Sequence, residues 1–103
     1  MTTDAQAAAK LRLAELRAGF AAKLAARWDE LDALLIRGRD GDPRAQAEAL
    51  SKAHQLAGTA GSYGHDEAGR HAATIERLLG SGESLEPVAW ALALAEVAAA
   101  RAR

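Results

Sequence analysis

One histidine of this chain stands among residues that are unusually small for a helix surface. It lies in the stretch LSKAHQLAGTAGSYG, from Leu50 to Gly64. Placed on a helix at about 100° per residue, His54 shares its face with Ala47, Leu50, Ser51, Ala57, Gly58 and Gly61. Of these only Leu50 reaches far from the backbone, so the imidazole stands proud of its surroundings. Imidazole titrates at about 6.5, is a nucleophile when neutral, and exposes one ring nitrogen or the other according to what holds its tautomer. A neighbouring stripe, Ala49, Ala53, Leu56 and Ala60, has core character, while Glu48, Lys52, Gln55 and Thr59 take the wet side. His54 therefore falls at the border between core and solvent, where another protein can bring a reactive group up to it.

Glycine inside a helix costs about 1 kcal/mol relative to alanine. Gly58 and Gly61, one and two turns after His54, either clear space for an incoming protein or let two helices of this chain pack closely. Spacing alone leaves both readings open.

Taken together, His54, Leu56, Gly58, Gly61 and Gly64, with Thr59 after Gly58, read HxLxGxxGxxG. The pattern resembles that of the histidine phosphotransfer (HPt) domain family, strongly over Leu50 to Leu79 and by element order over most of the chain. Many members carry lysine or arginine three residues after the histidine, where this chain has Ala57. The resemblance implies that His54 is phosphorylated and that Glu76, at the position matching a Glu or Gln on the next helix of similar domains, orients its ring. It implies a docking surface around His54, made of Leu50, Ser51, Gln55, Ala57, Gly58 and Gly61. The implied partners are response-regulator receiver domains and a sensor or hybrid histidine kinase. The phosphorylated aspartate and its Mg²⁺ would belong to the receiver, leaving this chain without a cofactor of its own.

Phosphoryl transfer needs in-line positioning and neutralisation of charge more than it needs covalent machinery. The chain has neither a Walker loop nor a kinase-type glycine loop with its lysine and metal ligands. It is thus expected to be a phosphoryl-group carrier without autonomous kinase activity, a phosphorelay intermediate between an aspartate or kinase module and a receiver. The alternative is a non-catalytic helical bundle that docks a receiver or kinase through the same face. His65 and His71 read first as ordinary histidines. Glu67 and His71 are four apart, but His65 is badly offset as a third ligand, so no metal site is expected.

At 103 residues the chain fits one domain, residues 1–103, with a single modest core. Its 13 basic and 14 acidic residues nearly cancel, which removes the basic footprint of a nucleic-acid binder. It has no cysteine, so neither disulfides nor thiolate-bound metal are available. MTTDAQAAAK does not read as a leader, and no apolar run approaches the roughly 20 residues that span a bilayer. A cytoplasmic monomer with no membrane attachment is expected.

Alanine and leucine dominate the apolar residues, aromatics are limited to Phe20, Trp28, Tyr63 and Trp90, and β-branched residues are few, all of which favours packed helices over sheet. Thr2 or Thr3 can cap a first helix, with Asp4 near its positive end. Leu13, Leu16, Phe20, Leu24, Trp28, Leu31 and Leu35 then advance in steps of three and four to about Arg37. Gly19 leaves two options, a short leading helix before a long one or a single bent helix. Gly38 is expected to end this segment, with Asp42 capping the next and Pro43 at its first position. That helix should run to near Ser62, closed by Gly64 in the left-handed region. Ala68, Ala72, Ile75 and Leu79 form the core face of the following helix. After the turn GSGES, Ser84 can cap the last helix, whose stripe is Val88, Leu92, Ala95 and Ala99. Short connections make neighbours antiparallel. The expected architecture is all-α, an antiparallel up-and-down four-helix bundle with a leading N-terminal helical extension.

Overall fold

A computed structural model describes residues 3–80 and 87–102. Among them are four helices, α1 (Thr3–Arg39), α2 (Pro43–Ser62), α3 (Asp66–Leu79) and α4 (Pro87–Arg101), and no strand. Each packs on the next and α4 closes back on α1. Gly38, near the end of α1, meets Trp90 near the start of α4, while Arg101 at the far end of α4 binds Asp29 at 2.6 Å. The two helices therefore run antiparallel, completing the expected bundle.

α1 is one continuous 37-residue helix, which settles the choice that Gly19 left open. A methyl group at Gly19 would meet nothing within 4 Å, so neither a packing contact nor a break is found there. Residues 3–19 are all exposed, and Phe20 is the first buried side chain. The leading extension is thus the first half of α1 itself. It gives the molecule its 59 Å long axis against 24 and 18 Å across, close to the ~55 Å that 37 residues span at 1.5 Å each. Leu13 and Leu16 belong to the same three-and-four series as Phe20, yet stay 39% and 38% exposed. Full burial begins only at Phe20, whose ring meets those of Tyr63 and His65 at 5.4 and 5.2 Å.

Gly38 does not end α1. It is helical and buried, and a Cβ there would lie 2.9 Å from two ring atoms of Trp90. Its smallness serves the crossing with α4, and the left-handed glycine of this turn is Gly41, at φ +100°. Asp42 then caps α2 as expected, its carboxylate accepting from the backbone N–H groups of Arg44 at 3.0 Å and Ala45 at 3.2 Å. Pro43 occupies the first position of α2, and Gly64 reverses the chain after it at φ +80°. The Thr2 cap, the Ser84 cap and most of the turn preceding Ser84 lie outside the described residues.

The core faces of α2 and α3 are those the sequence indicates. Ala45, Ala49, Ala53, Leu56 and Ala60 are buried on α2, and Ala72, Ile75 and Leu79 on α3, with Ala68 and Leu78 partly covered. α4 departs from expectation. Val88 is 62% exposed and Leu92 49%, Ala95 and Ala99 are exposed too, and the buried stripe is Trp90, Ala93 and Val97. The reason lies in composition: Glu96 and Arg101 are the only polar residues of α4, so apolar spacing does not tell its faces apart. The inward face is the one that buries Trp90, the bulkiest side chain of the helix and the largest single gain in buried area. Among the described residues, no helix is long and apolar enough to cross a membrane.

Candidate functional site

His54 lies past the middle of α2, between buried Ala53 and Leu56, which anchor the helix and turn position 54 outward. Its side chain is 75% exposed. Facing it across the α2–α3 seam is Glu76, next to fully buried Ile75. Glu76 Oε2 lies 2.5 Å from His54 Nδ1. A carboxylate only accepts, so Nδ1 carries a proton and donates it, which in the neutral ring leaves the lone pair on Nε2. Nε2 makes no hydrogen bond to any described residue. The result is an imidazole held by one nitrogen and open at the other.

α3 also meets α2 at a residue that the motif does not include. A Cβ at Gly69 would stand 3.4 Å from the carbonyl oxygen of Ala57, 3.5 Å from the amide nitrogen of Gly61 and 3.8 Å from the Ala60 methyl, all ordinary contact distances, so Gly69 lies against the backbone of α2. Gly69 precedes Glu76 by seven residues and so shares its face of α3. That seven-residue spacing is legible in the sequence.

The Hpt domain family model matches residues 15–103. This chain belongs to the Hpt domain family. Searches of curated proteins and of solved structures returned no significant match. Membership makes the chain a histidine phosphotransfer domain of the kind that acts in phosphorelays and interacts with receiver domains and kinases. The match begins at Glu15, within the exposed first half of α1.

The Hpt domain presents His54 on an open surface. Methyl groups at Gly58 and Gly61 would meet nothing within 4 Å, so neither glycine is needed to admit another side chain of this chain. Ser51 and Gln55 are exposed, and Leu50 and Ala57 are half-buried at the margin of the core. The six residues expected around His54 thus share its helix surface. Gln55 Nε2 makes a long contact, 3.5 Å, to Ser51 Oγ. Lys52 leans the other way, to Glu30 of α1 at 3.8 Å.

The other two histidines are differently engaged. His65 Nε2 lies 3.1 Å from the Arg17 carbonyl oxygen, tying the α2–α3 turn to α1. His71 Nδ1 lies 2.6 Å from Glu96 Oε1 of α4, and its side chain is only 17% exposed. Both line a cleft of about 510 Å³ with Leu24, Trp28 and Ala100, and His54 is not part of it. Among the described residues, no three histidine, cysteine, aspartate or glutamate side chains gather as metal ligands.

Proposed function

We propose that His54 is the phosphoacceptor of this domain, taking a phosphoryl group from a receiver aspartate or a kinase module and passing it to a receiver. The observation that carries the reading is the 2.5 Å bond from Nδ1 to Glu76 on an imidazole three-quarters exposed. With Nδ1 held, Nε2 attacks phosphorus in line. The bond from phosphorus to the aspartate oxygen breaks, the Nε2–P bond forms, and the aspartate leaves as a carboxylate. The ring keeps its Nδ1 proton and gains positive charge, which the Glu76 carboxylate faces directly. Reversal onto a second receiver follows the same path.

Gly58 and Gly61 leave the approach to Nε2 unobstructed, and Leu50, Ser51, Gln55 and Ala57 complete the docking surface. With Ala57 where many members of the family carry a basic residue, charge on the moving phosphoryl group is neutralised from the partner's side, where Mg²⁺ in the receiver supplies it. The chain acts as a cytoplasmic monomer with protein partners and no cofactor of its own.

The deciding experiment incubates the protein with a phosphorylated receiver and Mg²⁺ and asks for acid-labile, base-stable phosphate on His54. A receiver that binds tightly but leaves no label on the chain would establish a docking module without phosphotransfer.

A further inference from the structure

We infer that the His71–Glu96 pair is a positioning device for the phosphotransfer site, fixing α3 against α4 so that Glu76 stays in register with His54. The kinetic part of this inference rests on His54 being the phosphoacceptor; the structural part does not.

α3 has 14 residues, and its buried contacts are Ala72, Ile75 and Leu79. Apolar burial is non-directional, and a face that includes alanine offers little to stop a helix rolling or sliding. Direction comes from two hydrogen bonds of one chemistry, each joining an imidazole Nδ1 to a glutamate. One joins Glu76 to His54 of α2 at 2.5 Å, the other joins His71 to Glu96 of α4 at 2.6 Å. His71 and Glu76 are five residues apart, which puts them about 140° apart around α3 and about 7.5 Å apart along it. α3 is therefore pinned on both flanks, and a roll or slide that moves Glu76 off His54 must also break or drag the second pair.

Burial separates the roles. The His54 and Glu76 side chains are 75% and 33% exposed, those of His71 and Glu96 only 17% and 28%. The covered pair is less screened by water, and losing its acceptor would strand a half-buried N–H donor. It is built to hold, the open one to react. The arginines of α3 are not placed for this task. Arg70 reaches Glu67 at 3.9 Å and Arg77 reaches Thr74 at 3.1 Å, both within the helix.

The test compares Glu96→Leu, which keeps side-chain bulk without an acceptor, with Glu96→Gln, which keeps an acceptor oxygen. Val97→Ala serves as control, since it removes buried volume from the same helix and leaves all four side chains of the two pairs in place. Nitrogen-15 NMR reads the tautomer of His54, and single-turnover transfer to a saturating receiver reads the rate. In Glu96→Leu the Nδ1–H form of His54 should lose population and transfer should slow about tenfold, as for other outer supports of reactive groups, at unchanged receiver affinity. Glu96→Gln should restore both, Val97→Ala should change neither despite a lowered melting point, and Glu96→Leu should add nothing once Glu76 is alanine. An unaltered His54 spectrum in folded Glu96→Leu, or the same change in Val97→Ala, overturns the inference. If Glu96→Leu fails to fold, Glu96→Ala takes its place: loss of the Nδ1–H form of His54 supports the inference, and a parent-like His54 spectrum overturns it. A parent protein that takes no phosphate on His54 refutes the phosphoacceptor reading instead, and the NMR comparison still decides the positioning role.

Discussion

Replacing Gly58 separates folding from docking at a single position. A Cβ there meets nothing within 4 Å, so Gly58→Ala changes only backbone propensity, and the expected gain is up to about 1 kcal/mol. For a domain of this size that corresponds to a rise in melting temperature of roughly 4–8 °C. Gly58→Gln shares the open direction and the favourable propensity, so it should fold at least as well as the parent. It also places a flexible polar side chain one helical turn from His54, on the surface a receiver must approach. In-line transfer tolerates little displacement, and misplacing reacting groups by about 1 Å can cost on the order of 100-fold. The measurements are circular dichroism melts and single-turnover phosphotransfer on both variants. The expected pattern is a more stable alanine variant with near-parent transfer and a folded glutamine variant with transfer depressed by one to two orders of magnitude. A folded Gly58→Gln protein that transfers at the parent rate would show that the cleared surface is not where the partner docks. A destabilised Gly58→Ala would show that the open space is needed by the fold.

His54→Gln should abolish labelling while shifting stability by no more than about 0.5 kcal/mol, as is usual at exposed positions; persistence of label, or its loss only in His65→Gln or His71→Gln, would move the acceptor elsewhere. Glu76→Ala should slow transfer about 10- to 100-fold without stopping it, and an unchanged single-turnover rate would reduce Glu76 to a surface carboxylate. Gly38→Ala should lower stability by about 1–3 kcal/mol through overpacking, because its methyl would sit 2.9 Å from the ring of buried Trp90; a melting point at or above the parent's would show that Trp90 can step aside.

What could be read in the sequence was what local chemistry dictates. Asp42 before Pro43 marks a helix start through orphan N–H groups, and Gly64 marks a reversal through its freedom at positive φ, so α2 is bounded correctly from a few residues. The core faces of α2 and α3 were legible because charged and apolar residues alternate at helical spacing. Two things were not legible. Gly38 looks like a stop signal until the neighbour that needs its missing side chain, Trp90, is known, and that neighbour is 52 residues away. The inward face of α4 is hidden because alanine and leucine surround the whole helix, and only packing against α1 and α3 selects a side. At the site, His54 and Glu76 were identified by motif, but their 2.5 Å contact is seen only once α2 and α3 are packed together.

The two apolar faces of α4 have a consequence for the specificity of folding. Turned about its axis, this helix could bury Val88, Leu92, Ala95 and Ala99 in place of Trp90, Ala93 and Val97, and non-directional burial would separate these arrangements only by the indole. A landscape built on alanine and leucine alone would hold competing minima at this point. The wrong rotamer of the bundle is disfavoured by shape and charge: the indole has one notch that fits it, at Gly38, Glu96 has one imidazole to meet, and Arg101 has its carboxylates on one side, Asp29 at 2.6 Å and Asp32 at 4.0 Å. These features work as a key that makes one orientation of a nearly featureless cylinder the native one, so their removal should cost uniqueness of structure before it costs helix content.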